Sequence, residues 1–169
     1  EELEKKGSHP RCSLGLFFLN GPGTFPAENV MDFLHGYAWP RDLVKGILRL
    51  CRFAVPLVSS PTEGLIFEMM EETEPPERRD IFMVASVILA QGGKDLRPLM
   101  AGKKLLYRME ENLRSPGLLL GGREIMELCR LSPGRDVGRI RRKIRFLVAS
   151  GQISSREEAI REIQVPPYL

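Results

Sequence analysis

The chain is poor in the residues that build metal sites and disulfides. It contains three cysteines and two histidines, and Cys12, Cys51 and Cys129 lie far apart, without the Cys-x-x-Cys spacing of a zinc ligand pair. Each cysteine stands in an apolar stretch. We therefore expect buried thiols in a reducing cytoplasm rather than a disulfide framework or a zinc site.

Long hydrophobic runs are also missing. A membrane-spanning helix needs roughly 18 to 20 apolar residues, and the longest candidates, at 81–90 and 14–19, are only long enough for core helices. The opening Glu-Glu-Leu-Glu-Lys-Lys does not resemble a signal peptide. We expect a cytoplasmic protein without a membrane partner. Because the chain does not begin with Met, it is interpreted as a processed chain or an excised fragment.

Strand signals are lacking, since there is no sustained alternation of apolar and polar residues and no Asn-Gly or Asp-Gly turn. The predicted fold is therefore all-α, a multi-helix bundle with a helical body followed by a small helical tail subdomain. A boundary is predicted at Ser115-Pro116-Gly117, which separates residues 1–115 from residues 116–169. The predicted helical segments are 12–20, 30–36, 41 to about 53, 62–70, 77–91, 96–113, 122–130, 133–150 and a last one through about 163.

Local signals predict how several of these segments begin and end. Gly92-Gly93 and Gly151 are expected to end helices, and Ser154 or Ser155 to cap the last one, with Glu158 at capping-box spacing from Ser155. Between Glu63 and Asp80 seven acids face only two arginines. Together with Pro75-Pro76, this composition predicts a solvated hinge that leads into a helix at the centre of the bundle.

Catalytic motifs are absent from the sequence. It has no Asp-x-Asp pair for two metal ions, no Walker loop and no His-Glu-x-x-His. His35 has no acid or nucleophile at a spacing that would suggest a triad. We therefore predict no catalytic residue, no metal ligand and no cofactor in this chain.

The sequence does contain a concentrated run of positive charge. Six basic side chains fall within eleven residues, with Asp136 as the only acid among them. The run carries a net charge of +5, although the whole chain carries only +3. Such a concentrated cationic surface is typical of proteins that bind a phosphate-rich partner. The six residues are Arg135, Arg139, Arg141, Arg142, Lys143 and Arg145.

Helical geometry divides this run into two sides. Ser132 is expected to cap the helix, with Pro133 in its first position. At about 100° per residue, one arc is apolar, and the basic residues lie on the opposite arc and one flank. The sequence predicts no ion-pair partners at helical spacing for these cations, which favours an anionic ligand over an ordinary solvated face. The apolar arc consists of Val137, Ile140, Ile144, Leu147 and Val148.

Three further features of the run bear on binding. Phe146 lies within the basic arc and is either a contact to a neighbouring helix or an aromatic platform for a base. Gly138 costs about 1 kcal/mol in a helix relative to Ala, which indicates a close approach by a packed helix or by a nucleic-acid backbone. Free N–H groups near Gly134 could receive a phosphate. A second basic group, Lys103, Lys104, Arg108 and Arg114, is expected to extend the same surface.

Residues from Leu120 to Arg145 and from Gly151 to Ala159 carry a recognisable pattern. Gly122-Arg-Glu-Ile-Met126 opens one helix, Pro133-Gly-Arg-Asp-Val-Gly138 opens the next, and Gly151-Gln-Ile153 precedes Arg156-Glu-Glu-Ala159. This pattern resembles the C-terminal region of bacterial class II tRNA nucleotidyltransferases, the CCA-adding or A-adding enzymes, and of the related poly(A) polymerases. About 45 residues match well, whereas residues 12–113 agree only loosely with the family's neck and body.

The resemblance implies that this chain is the part of such an enzyme that holds RNA. In that family a catalytic head selects nucleotides, and the helical neck, body and tail clamp the tRNA acceptor–TΨC arm. The resemblance implies RNA-backbone contacts around Gly134, Gly138, Arg139 and Arg142. The head's Gly-Ser motif and metal-binding carboxylates are not in this sequence, so Mg²⁺ and nucleoside triphosphate are expected only at a head domain that would be a partner of this region.

The predicted RNA-binding residues are Gly134, Arg135, Gly138, Arg139, Arg141, Arg142, Lys143, Arg145, Phe146, Lys103, Lys104 and Arg108. Two other functions fit the basic helix. Residues 122–130, the Ser-Pro-Gly turn and the basic helix imitate a DNA-binding helix-turn-helix, although the second helix begins without an Asn or Gln to read base edges. The chain is alternatively a helical adaptor whose basic face binds an acidic protein.

Overall fold

A computed structural model of the chain describes residues 40–91, 93–114 and 119–164. Within these ranges the backbone forms seven α-helices and no strand, which confirms the all-α prediction. The helices predicted at 12–20 and 30–36 and the tail after residue 164 lie outside the described residues. The seven helices are α1 Arg41–Ser59, α2 Glu63–Glu72, α3 Pro75–Gln91, α4 Arg97–Leu113, α5 Gly122–Cys129, α6 Arg135–Ala149 and α7 Arg156–Gln164.

Helix α1 is longer than predicted. Its expected end was near Phe53, but the helix continues to Ser59 and includes Pro56. Pro56 has no N–H to donate to the preceding turn. Beyond it, however, Leu57 is completely buried, as are Phe53 and Ala54. Burial of these side chains, in a helix that packs chiefly against α3, offsets the lost hydrogen bond.

The prediction of a solvated hinge between Glu63 and Asp80 is wrong. Nearly all of this segment is helical, and only Thr73 and Glu74 separate α2 from α3. Pro75 and Pro76 do not break the helix but occupy its first turn, where a missing N–H costs no hydrogen bond. Helix α3 therefore begins two residues before the predicted Glu77.

Ion pairs with α1 account for several acids of this segment. The guanidinium of Arg52 lies 2.7 Å from a carboxylate oxygen of Glu68 and 2.7 Å from one of Glu72. Arg49 lies 3.1 Å from Glu77 of α3. The acids thus face cations of a neighbouring helix instead of forming a mobile, solvated stretch, and the pairs add to the apolar packing of α1 against α2 and α3.

The interior of the first unit forms around α3, as predicted. Ile81, Phe82, Val84, Ala85 and Leu89 are all buried. Gly93 ends this region with a positive φ of 60°, and the N–H of Lys94 donates to the carbonyl of Leu89 at 2.9 Å. These features confirm the predicted glycine termination, because a left-handed residue with this hydrogen bond is a common helix ending.

The chain divides into two compact units, Glu1–Lys103 and Lys104–Leu169. The division falls inside α4, whereas the sequence predicted a boundary at 115/116, among residues outside the described part. The end of α4 belongs with the second unit because Asn112 Nδ2 donates to the carbonyl of Ala149 at 2.9 Å. Leu113 also packs against the apolar core of that unit.

The core of the second unit joins α5, α6 and α7. Helix α6 contributes Ile140, Ile144 and Val148, all buried, and Val137 and Leu147 pack at the edge of the same cluster. This confirms the predicted apolar arc of the basic helix. The cluster consists of Leu120, Ile125, Cys129, Ile140, Ile144, Val148, Ile153, Ala159 and Ile163.

Candidate nucleic-acid interface

Helix α6 begins two residues later than predicted. Ser132 does not cap it and Pro133 is not its first residue, because Gly134 is the N-cap and Arg135 the first helical position. Gly134 has an extended backbone (φ 169°) and no side chain to cap the helix. Its carbonyl accepts the first helical hydrogen bond, from Gly138 N–H at 3.4 Å. The start of the helix thus leaves its first N–H groups without a side-chain cap.

The basic side of α6 faces solvent. Arg135, Arg139, Arg141 and Arg142 are exposed, whereas Lys143 and Arg145 are partly buried. The opposite side is held in the core of the second unit, so the helix cannot rotate this surface inward without exposing its apolar arc. The sequence prediction of two separate sides therefore holds for the four arginines.

Two of the basic residues do have acidic partners, contrary to the sequence prediction. Arg139 lies 2.7 Å from Asp136, one turn earlier on α6, with side chains 78% and 62% exposed. Lys143 lies 2.6 Å from Glu162 of α7. Asp136 precedes Arg139 by three residues, a spacing at which an ion pair on a helix could have been predicted from the sequence. Nothing in the sequence pattern identified Glu162, because its proximity depends on how α7 packs against α6.

These pairs do not neutralise the surface. Pairs between exposed side chains contribute only about 0 to 1 kcal/mol, so Arg139 can exchange Asp136 for another anion. Arg135, Arg141 and Arg142 form no ion pair with any residue in the described ranges. The second unit as a whole has 13 basic and 8 acidic residues. Its positive charge is therefore concentrated on the exposed side of α6.

The structure places the other predicted residues in differing environments. Phe146 is partly buried rather than exposed on α6. Lys103 belongs to the first unit, where its ammonium lies 5.9 Å from the centroid of the Phe82 ring. Lys104 and Arg108 are exposed on the part of α4 that belongs to the second unit. These two share a unit with the basic helix.

Gly138 lies at the start of α6 and is exposed to solvent. A Cβ atom built on it would meet no atom of the described residues within 4 Å. Packing among these residues therefore does not require glycine here, which disfavours the packed-helix explanation. The other explanation, a close approach by an external backbone, is compatible with the exposed position between Arg135 and Arg139.

Of the two cysteines that the structure describes, Cys129 is buried, as predicted, whereas Cys51 is only partly buried. Cys129 is buried and its thiol points to the carbonyl of Ile163 at 3.8 Å. Burial raises the pKa of Cys129 above its usual range, and it raises the pKa of the partly buried Cys51 to about 11. Both thiols are therefore protonated near neutral pH, which makes them poor nucleophiles.

Over the described ranges, no three His, Cys, Asp or Glu side chains are grouped so that they could hold a metal ion. None of the helices in this part of the chain has the length and apolar character to cross a membrane. Comparisons of the chain with protein-family models, curated proteins and solved structures found no match. The case for a function therefore depends on the residues and geometry of the basic surface itself.

Proposed function

We propose that the second unit binds structured RNA through phosphate contacts on the exposed side of α6. The observation that supports this most directly is the set of three exposed arginines without an ion pair in the described residues, Arg135, Arg141 and Arg142. Arg139 adds a fourth cation, whose ion-pair partner within the described residues is the exposed Asp136. We propose no catalytic role for any of the described residues.

Electrostatics favours an anionic ligand on this surface. Like charges three or four residues apart on a helix, as at Arg135 and Arg139 or Arg139 and Arg142, destabilise it by a few tenths of a kcal/mol per pair. When a phosphate binds near these arginines, their repulsion is replaced by attraction to the phosphate, which stabilises the helix. Arginine also suits the ligand, because its planar guanidinium can donate two parallel hydrogen bonds to one phosphate.

The side chains of α6 favour recognition of a backbone over recognition of base sequence. The helix contains no Asn or Gln to read the edge of adenine. Its arginines extend from Arg135 to Arg145, about 15 Å along the axis at 1.5 Å per residue, so several phosphates can be contacted at once. Structured RNA is recognised largely by shape and phosphate position.

The resemblance of the second unit to the tail of tRNA nucleotidyltransferases and poly(A) polymerases suggests a tRNA-like arm as the ligand. The matched positions include Gly134, Gly138, Arg139 and Arg142, which the structure places at the start and on the exposed side of α6. We therefore propose that the chain holds an RNA substrate whose 3′ end is extended by a nucleotidyltransferase head. Mg²⁺ and nucleoside triphosphate would act at that head.

Binding of the full chain to several polyanions would test this proposal. Fluorescence anisotropy would compare a tRNA, its acceptor–TΨC minihelix, a duplex DNA of equal length and an acidic protein, from about 50 to about 200 mM salt. We expect the two RNAs to bind most tightly. Arg142→Ala should reduce the slope of log affinity against log salt by about 1, whereas Arg123→Ala, which removes an exposed arginine from α5, should leave that slope unchanged.

The same experiment separates the alternatives. Equal affinity for tRNA and random duplex DNA would contradict the RNA proposal, and preference for DNA would favour the helix-turn-helix interpretation. Preference for the acidic protein would favour the adaptor. Equal effects of Arg142→Ala and Arg123→Ala would show that the net charge of the unit, and not α6, governs binding.

A further inference from the structure

Tyr107 presents an aromatic ring to solvent on α4. It is 69% exposed, although Leu106 and Met109 on either side of it in the sequence are buried. Helix α4 is thus anchored by its apolar side, and Tyr107 lies outside that side. Tyrosine normally buries much of its ring, so this position has no role in the core that would explain an aromatic residue.

Cations adjoin Tyr107 on the exposed side of α4. Lys104 precedes Tyr107 by three residues and Arg108 by four, so Lys104 lies next to both on the helix surface, with Cβ atoms about 5 to 6 Å apart. Arg108 directly follows Tyr107 in the chain and therefore lies about 100° around the helix from it. Both cations are exposed. The nearby acid Glu111 lies 2.9 Å from Arg114, with both side chains largely exposed.

An exposed ring beside exposed cations matches the way proteins bind unpaired nucleotides. The ring stacks on the face of a base, and the cations contact the adjoining phosphates. An acidic protein would use the cations but not the flat face of the ring. An apolar protein surface would have to strip water from Lys104 and Arg108, which is unfavourable without a charged partner.

We infer that Tyr107 is a stacking platform for an unpaired base of bound RNA, with Lys104 beside it, and Arg108 next to Lys104, for the neighbouring phosphates. This inference rests on the proposed RNA-binding function and adds a contact to a base. Asn112, one turn beyond Arg108 on α4, is hydrogen-bonded to Ala149 at the end of α6. This hydrogen bond joins the end of α4 to the end of α6 within the second unit.

The test uses the full chain and two RNA hairpins, one with an unpaired uridine overhang and one blunt. We expect Tyr107→Ala and Tyr107→Leu to weaken binding of the overhang hairpin about tenfold and to leave binding of the blunt hairpin unchanged. Tyr107→Phe keeps the ring and should bind as tightly as the unaltered chain. Bromouridine in the overhang should form a photo-cross-link to Tyr107, mapped by mass spectrometry.

Met100→Ala is a matched control, because it removes another exposed apolar side chain from α4 without removing a ring. Full binding by Tyr107→Leu, or equal losses on both hairpins, would overturn the inference. So would a Tyr107→Ala variant that binds RNA normally but changes only the self-association of the chain in sedimentation. Loss of blunt-hairpin binding in Arg142→Ala is a separate result, so the proposed function can stand if the Tyr107 inference fails.

Discussion

The ammonium nitrogen of Lys143 lies 2.6 Å from a carboxylate oxygen of Glu162, which joins α6 to α7. This pair divides the cations of α6 into two kinds. Lys143 is partly buried and held by an acid of another helix, whereas Arg142 beside it in the sequence is exposed and has no ion pair in the described residues. Adjacent basic residues therefore have different expected roles.

Replacing the two residues separately should reveal this difference. Arg142→Ala is expected to lower RNA affinity and to reduce the salt slope by about 1, since one phosphate contact is lost. Lys143→Ala should leave the slope unchanged and lower the free energy of unfolding by at most about 1 kcal/mol, because the pair with Glu162 is more than one-third exposed. Anisotropy titrations and urea unfolding measure the two effects.

The reciprocal variant Glu162→Gln releases Lys143 from its acidic partner. We expect its RNA affinity to rise, because the variant removes a negative charge next to the basic helix α6. An unchanged slope in Glu162→Gln together with a reduced slope in Lys143→Ala would show that Lys143 already contacts RNA.

Gly138→Ala should affect stability and binding in opposite directions. The added Cβ meets no atom within 4 Å in the part of the chain that the structure describes, and alanine is favoured over glycine inside a helix by about 1 kcal/mol. The free energy of unfolding should therefore rise. RNA affinity should fall if a phosphate backbone approaches this position closely.

Gly64→Ala provides the control for Gly138→Ala. Gly64 lies in α2, and a Cβ there also meets no atom of the residues at 40–91, 93–114 and 119–164 within 4 Å. Stability should rise while RNA binding stays unchanged. If Gly138→Ala likewise leaves binding unchanged, the RNA backbone does not come close to Gly138.

The capping box at the start of α7 predicts a pH dependence of stability. A carboxylate oxygen of Glu158 accepts hydrogen bonds from Ser154 N–H at 2.7 Å, Ser154 Oγ–H at 3.1 Å and Ser155 N–H at 3.2 Å. These bonds, the Ser154 N–H first, lower the pKa of Glu158 below its usual range. Since the pKa is lower in the folded state than in the unfolded state, the stabilisation is present above the unfolded pKa and is lost as the pH falls through the folded pKa.

The capping box can be tested by thermal unfolding of the unaltered chain and of Glu158→Gln, from neutral pH down to pH values below the pKa of an ordinary glutamate. The variant should have the lower Tm at neutral pH, and the difference should shrink on acidification below the ordinary range of a glutamate carboxyl. A Tm difference that does not change with pH would indicate that the charge of Glu158 does not contribute to the cap.

Arg130 ends α5 in the left-handed region, with φ 52° and ψ 40°. Residues with a Cβ are disfavoured in this conformation by about 1 kcal/mol, whereas glycine adopts it readily. We expect Arg130→Gly to raise the free energy of unfolding by about this amount. Arg130→Ala removes the same charge without relieving the strain, so it should not stabilise the fold.

Both Arg130 variants should bind RNA like the unaltered chain, because Arg130 lies at the C-terminal end of α5, outside the proposed contacts of α6. Urea unfolding and anisotropy measure the two properties. A similar loss of RNA affinity in both variants would instead extend the interface to Arg130.

Local sequence signals predicted most of the helix ends in the second unit. Gly151 adopts a φ of 78° and ends α6, as the sequence indicated, and Ser155 Oγ accepts a hydrogen bond from Glu158 N–H at 3.2 Å. The start of α6 was mispredicted because Ser132, Pro133 and Gly134 each carry a helix-start signal. In the structure Gly134 has an extended backbone and is the N-cap, so the helix begins at Arg135.

The sequence by itself determined the all-α content, the apolar arc of α6 and the concentration of arginines on its opposite side. These follow from residues close together in the chain and from the helical period of 3.6 residues. Only the tertiary structure decided that acids of α2 and α3 pair with Arg49 and Arg52 of α1, that Glu162 holds Lys143, and which part of α4 joins the second unit. Such contacts depend on distances between side chains of separate helices, which the periodicity of any one helix does not contain.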